Sequence, residues 1–209
     1  MPISCDFTKL GTLSVGPKTP WYRVHSSAYG ATAFNGAAAG NARFSPIRDV
    51  SAAVVPTIYA GEDIKTALME TVLHDVPFPS HGFIYSPAPP ENRVLSTIQL
   101  GASLNLADLT MIGLKRVGLL SSMVIDGDKA TYPDTRKFAE AMRAARPDIA
   151  GAIWDSRQTK RKAIVLFGDR LGAVTIVQNP SSPSVSIDDD LVRDELTELL
   201  EQLGASSIL

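Results

Sequence analysis

Four side chains in this sequence stand where they could do chemistry: Glu70, Arg23, Arg43 and Ser156. Glu70 lies in PTIYAGEDIKTALMETVLHD (56–75), flanked by Met69 and Thr71 and one strand-end away from Tyr59. A helix from Glu62 to His74 puts Glu70 about 240° round from Ile64, at the border of the apolar stripe. A carboxylate there is either a partly exposed helix residue or a group held ready to steady a cation or a hydroxyl. Arg23 lies inside WYRV (21–24). It is either the outward residue of an alternating strand or a fork for phosphate oxygens. In GNARFSP (40–46), Gly40 allows close backbone approach, Arg43 offers a second fork, and Phe44 is a stacking face or a core anchor. Ser156 falls where an apolar strand gives way to the basic turn SRQTKRK (156–162). It is either a turn serine or a site hydroxyl, and no histidine lies nearby in sequence to activate it.

Other chemistries find no support. The sequence has no GxGxxG, GxxxxGK[ST], HExxH or GxSxG. Three histidines and one cysteine fill no ordinary zinc site without carboxylates. The single cysteine, Cys5, rules out an internal disulfide and suits a reducing compartment. No run approaches the roughly 20 apolar residues of a membrane span, and the first residues lack a signal pattern. The expectation is a cytoplasmic protein with no membrane contact. The net charge of −2 gives no basic excess for direct binding of nucleic acid.

The elements that must position these side chains follow from periodicity and punctuation. At 209 residues, 44% of them apolar, the chain suits a single domain. The motif-bearing core spans about 21–178. Residues 1–20 look irregular, and 30–42 is a Gly/Ala-rich loop. Strands are expected at 21–26, 53–60, 93–100, 150–156, 162–168 and 172–178, with Pro56 marking an edge or bulge. GDRLG between the last two reads as a hairpin turn. Helices are expected at 62–74 and from Tyr132 to Pro147, the latter capped by Asp134 or Thr135, with Phe138, Ala141, Met142 and Ala145 on one side. Residues 77–92 are a proline-rich loop, 103–120 one or two helical turns, and 179–184 a linker. An acidic helix closes the chain at 188–203.

Taken together, WYRV, GNARFSP, PTIYAGEDIKTALMETVLHD and a late serine in GAIWDSRQTKRKAIVLFGDR resemble the RES domain family over about residues 21–170. The family is named for an Arg, a Glu and a Ser, which map to Arg23, Glu70 and Ser156. The resemblance implies an α+β fold, an ADP-ribosyltransferase-like split β-core with flanking helices. It implies a toxin of a bacterial toxin–antitoxin pair that consumes NAD as substrate, with no cofactor. The NAD would be hydrolysed, phosphorolysed or used for transfer of ADP-ribose. Glu70 would hold the ribose hydroxyl or the developing oxocarbenium ion. Arg23, with Arg43, would take the pyrophosphate or ribose side. Tyr59 would wall the nicotinamide, Ser156 would complete the site, and Tyr29 would supply the further aromatic that members carry soon after the arginine. The stretch 30–42 is longer than in compact members.

The implied partner is a helix-turn-helix antitoxin that covers the site. Residues 115–170 hold 12 cations against 7 anions, whereas 188–201 hold 7 anions and Arg193. That split suits an acidic partner or self-covering by the tail better than a duplex. The competing expectation is a catalytically weak binding module that partners an antitoxin or forms a homo-oligomer.

Overall fold

Short apolar runs punctuated by Gly, Pro and Asp become eleven strands and five α-helices in the computed structural model, which describes residues 3–74, 76, 83–85 and 92–207. In chain order these begin with β1 (Thr12–Val15), β2 (Trp21–Ser26), β3 (Thr57–Gly61), α1 (Ile64–Met69), β4 (Phe83–Tyr85), β5 (Arg93–Leu100) and β6 (Leu104–Asp108). There follow α2 (Met111–Arg116), α3 (Ser121–Val124), α4 (Tyr132–Ala145), β7 (Gly151–Asp155), β8 (Lys162–Phe167), β9 (Ile176–Gln178), β10 (Val185–Ser186), α5 (Asp190–Gln202) and β11 (Ala205–Ser207). The fold is α+β.

One sheet runs β1-β6-β7-β8-β3-β2-β5-β10, with β9 also on β5. Its pairs are antiparallel except β6 with β7. β11 and β4 form a separate parallel pair. β8 shows why its sequence does not alternate. Ala163, Val165 and Phe167 face one apolar cluster, with α4, Phe44 and Trp154, and Ile164 and Leu166 face another with Trp21 and Ile98. A strand buried on both faces reads as a continuous apolar run.

The sheet is weakly joined at one place. β2 pairs with β5 over six residue pairs and β3 pairs with β8 over five, but β2 meets β3 only at Tyr22 and Gly61. The β-core therefore divides into two wings that part beside that contact. Gly61 is where α1 comes down on the strand end: a Cβ there would lie 2.8 Å from Ala67 N and 3.0 Å from Thr66 Cβ. Asp63 caps α1, accepting from Thr66 N at 2.7 Å. Behind α1, α5 buries Val192, Leu196, Leu199 and Leu200 in the cluster that holds Ala67 and Leu68. Lys65 also reaches Glu198 at 2.8 Å. An exposed ion pair is worth about 0–1 kcal/mol and each buried leucine about 1.5–3 kcal/mol, so apolar burial carries this contact.

Several expectations are corrected. α1 ends at Met69 instead of His74, because Leu68 O accepts from Thr71, Val72 and Leu73 N and winds the chain into tight turns. Glu70 is consequently the helix C-cap and does not sit mid-helix. β3 starts after Pro56 and is central, not an edge. Residues 12–15 and 104–108 are strands; four- and five-residue apolar runs do not declare their type. Residues 172–178 do not form a hairpin with β8, whose two edges are taken by β7 and β3. The GDR turn is pinned to the end of α4, with Arg170 donating to Arg146 O at 2.6 Å and Arg143 O at 2.7 Å. The chain crosses to β5 instead. The linker 179–184 leads into β10, a two-residue strand on β5. In α4, Ala139 and Arg143 are buried where Ala141 and Ala145 were expected, and no side chain caps its start. Of the loop expected at 77–92, residues 83–85 form β4; most of the rest lies outside the described residues.

Gly61→Ala tests the seat of α1. Crowding against backbone should lower stability by about 1–3 kcal/mol, read as a lower urea midpoint with an unchanged slope. An unchanged midpoint would mean that α1 shifts freely on the strand end.

Candidate functional site

The parting of β2 from β3 opens a cavity of about 330 Å³, within the size range of small-molecule sites. Arg23 contributes from β2, Tyr59 from β3, Glu70 from the end of α1 and Arg43 from the loop before β3. Four of the six residues singled out in the sequence thus meet in one place. Tyr29 does not: it is 66% exposed and outside the cavity wall. Ser156 does not line it either. It is fully buried, and its Oγ accepts from Gln158 N at 3.3 Å and Thr159 N at 3.4 Å. Its backbone N donates to Arg161 O at 2.8 Å. Ser156 therefore shapes the turn between β7 and β8.

Arg23 makes one hydrogen bond, Nη1 to Ala31 O at 2.6 Å, and no ion pair among the described residues. Burial pulls its pKa down to about 10. One bond to a charged group returns about 1.5–3 kcal/mol, whereas sequestering a cation costs several kcal/mol. An anion delivered to Arg23 would close that gap. Arg23 is half-buried and Arg43 is buried; burial lowers the Arg43 pKa, with Tyr132 and Glu70 acting in the opposite direction. It donates to Gly127 O at 3.2 Å and lies over the Tyr132 ring, Cζ 4.9 Å from the centroid.

The backbone around Arg43 is fixed from both sides. Thr135 Oγ1 donates to Arg43 O at 2.6 Å, and Phe44 N donates to Tyr59 Oη at 3.0 Å. Phe44 is a core anchor and not a stacking face: it is fully buried, edge-on to Trp154 at 5.3 Å. Burial pushes the Tyr59 hydroxyl up to about 12, so it stays a neutral hydrogen-bonding group. Its ring meets Trp154 edge-on at 6.3 Å.

Glu70 has no side-chain hydrogen bond or ion pair among the described residues. A carboxylate at a helix C-terminus opposes the negative end of the helix dipole. What favours it there is the nearby Arg43 guanidinium, on which its charge acts. Among the described residues, Arg23 and Arg43 set two guanidiniums beside this one carboxylate on the cavity wall. The arrangement fits a ligand that carries anionic groups and presents one cationic centre.

Sequence reasoning missed Tyr132, His74 and Trp154 on the wall. Tyr132 and His74 form a pair, Oη to Nε2 at 3.0 Å. Tyr132 lies far from the motifs in sequence, whereas His74 and Trp154 fall inside the quoted stretches, next to Glu70 and Ser156, and nothing in their local pattern marks which way they face. The loop 30–42 gains a role: Asn35 exchanges backbone bonds of 2.9 Å with Thr57, so the loop folds over the cavity and supplies Asn35, Asn41 and Ala42. The acidic tail does not cover the cavity, since no residue of α5 is among the wall residues.

The sequence matches the RES domain family over residues 20–188. The chain belongs to the RES domain family. Among solved structures, one similar to it is the crystal structure of the M. tuberculosis MbcT–MbcA toxin–antitoxin complex. The TM-score is 0.63 at 16% identity, covering 90% of this chain and 93% of that chain. That likeness speaks to the fold, and the RES fold is what it supports. No protein of curated function matches. Among the described residues no helix is long and apolar enough to cross a membrane, and no group of His, Cys, Asp and Glu could hold a metal ion.

His25 sits two residues from Arg23. Its Nδ1 bonds Ser26 O at 2.9 Å, and its Nε2 bonds Ser96 Oγ at 2.8 Å. Burial, then the Arg23 charge, depresses its pKa. The unfolded chain therefore takes a proton below about pH 6.5 that the folded chain refuses. Stability contributed by neutral His25 is full above that pH and is lost as pH falls toward the folded pKa. Urea midpoints should drop through this window, and His25→Gln should flatten the drop. Identical slopes for both proteins would remove His25 from the account.

Proposed function

We propose that this RES protein cleaves the nicotinamide–ribose bond of NAD and acts as the toxin of a toxin–antitoxin pair. The observation that carries the reading is the charge pattern of the cavity. A half-buried and a buried guanidinium, neither in an ion pair at contact distance, share the wall with one carboxylate, whose charge acts on Arg43. NAD carries two pyrophosphate charges for the guanidiniums and a ribose that becomes cationic as nicotinamide leaves for the carboxylate. Arg23 and Arg43 hold the anionic backbone of the dinucleotide, Tyr59 and Trp154 present aromatic surface to its flat rings, and Glu70 faces the ribose. Ser156 acts by holding the turn that carries Arg157 and Gln158 beside Glu70.

The partner reading rests on family membership and on the structural neighbour, which was solved as a toxin–antitoxin complex. A helix-turn-helix antitoxin that plugs the cavity is the partner proposed. The basic excess across 115–170 favours an acidic segment in it.

Incubating purified protein with NAD and separating the products by mass spectrometry, with and without phosphate, tests the activity. Free nicotinamide is the expected product, and unchanged NAD with folded protein would favour the binding-module alternative. Glu70→Gln should keep the fold and lower turnover by about 10²–10³; full activity would remove Glu70 from the reaction.

Arg23→Ala should act mainly on binding. Calorimetric titration should show weaker binding of NAD, whereas an unchanged dissociation constant with reduced stability would make Arg23 a structural residue.

Strong expression should arrest bacterial growth and deplete NAD, and a co-expressed helix-turn-helix partner should restore both. Normal growth and normal NAD with abundant folded protein would sink the toxin reading.

A further inference from the structure

Away from the cavity wall, a line of hydrogen bonds runs through Gln178 of β9, Ser184 before β10, Ser96 of β5 and His25 of β2. Gln178 Nε2 lies 3.1 Å from Ser184 Oγ, which lies 2.5 Å from Ser96 Oγ. Ser96 Oγ lies 2.8 Å from His25 Nε2, and the other ring nitrogen, Nδ1, is 2.9 Å from Ser26 O. Ser184 is exposed, whereas Ser96 and His25 are buried.

The two ends of the line fix the direction of every bond in it. A carbonyl oxygen only accepts, so His25 Nδ1 carries the hydrogen that reaches Ser26 O. Burial, then the Arg23 charge, depresses the His25 pKa, so the ring is neutral near pH 7. Its Nε2 then offers a lone pair, and Ser96 donates to it. Ser96 has one hydroxyl hydrogen and has spent it there, so it accepts from Ser184. At the other end, Gln178 Nε2 also faces Ser182 O at 3.4 Å, which sets the amide this way round and makes it a donor to Ser184 Oγ.

The result is a surface hydroxyl with a base behind it. A proton can leave Ser184 for Ser96 as the Ser96 proton moves to His25, and neither oxygen has to shift. Gln178 stabilises the negative charge that grows on Ser184 Oγ as its proton leaves. Ser26 O holds the imidazole in the required tautomer. Hydroxyl, base and orienting group are the parts of an activated nucleophile.

We propose that Ser184 is a reactive centre separate from the cavity, a nucleophile that takes the acyl group of activated carboxylic esters, with Ser96 and His25 as its proton relay. Ser184 lies at the surface, so the donor brings its own good leaving group, as an aryl ester does. Ser184 Oγ forms a bond to the carbonyl carbon while its proton passes to Ser96 Oγ and the Ser96 proton passes to His25 Nε2. The tetrahedral adduct expels the alcohol oxygen with the bonding pair. The proton returns from His25 through Ser96 to that oxygen. The products are acyl-Ser184 and free alcohol, and His25 ends neutral. The proposal does not depend on the NAD reading, because none of the four residues is on the cavity wall.

Acetylation by p-nitrophenyl acetate at neutral pH, located by peptide mass spectrometry, tests it. Ser184 should acetylate about 10²-fold faster than Ser181, which is exposed on the same segment and outside the relay. His25→Gln keeps hydrogen-bonding groups but removes the base, and Ser96→Ala breaks the line. Each should lower the Ser184 rate by about 10²-fold and leave the Ser181 rate unchanged. Ser96→Thr, which keeps the hydroxyl, should recover most of the rate. Equal acetylation of Ser181 and Ser184 in the unaltered chain overturns the proposal, whether or not the buried variants fold. An undiminished Ser184 rate in folded His25→Gln overturns the relay. No acetyl group on Ser184 overturns the site itself.

Discussion

Strands β2 and β3 share one residue pair, Tyr22 with Gly61, and then part, and the cavity exists because they do. A full ladder there would bring the two wings of the sheet to the usual strand spacing of about 4.8 Å and leave no room for a ligand. The backbone groups freed by the gap need other partners. Part of that need is met by the loop 30–42, where Asn35 bonds Thr57, and by Ala31 O, which takes Arg23. The parting thus converts sheet edges into the wall of a site.

Two cations stand at that gap with less compensation than burial demands. Arg43 has two carbonyls and an aromatic face, and Arg23 has one carbonyl. The framework that holds them is correspondingly stiff. Phe44 and Trp154 are buried edge-to-face beneath the loop, Tyr59 is tied to the Phe44 amide, and α5 braces α1 from behind through a leucine-rich contact. Stability accumulated in the three apolar clusters is what allows a charge arrangement that opposes it at the centre.

The basic turn 156–161 shows how one surface motif takes part from outside the cavity. Arg161 pairs with Glu62 and Asp63 at the start of α1, and Thr159 meets Thr66. The turn after β7 and the helix that ends in Glu70 are therefore one mechanical unit.

Much was legible in the sequence where local pattern and burial agree. β2 and β5 fall on the residues expected, 21–26 and 93–100, because their runs are bounded by Pro, Gly and Asn and rich in strand formers. Arg23, Arg43, Tyr59 and Glu70 were each visible as polar or aromatic residues in apolar surroundings, and the resemblance of their motifs to the RES family grouped them. Strand order was not legible. β9 chooses β5 over its sequence neighbour β8, and β6 reads equally as helix or strand, because pairing is decided by which edges remain open after the core is packed. Nor could the sequence distinguish Ser156, buried in a turn, from a hydroxyl on the cavity wall, or bring Tyr132 and His74 together across 58 positions. The sequence by itself determined which residue types and local elements were available, since propensity and periodicity act over a few residues. Tertiary structure alone decided which of them share a cavity, because that depends on where two strands stop pairing.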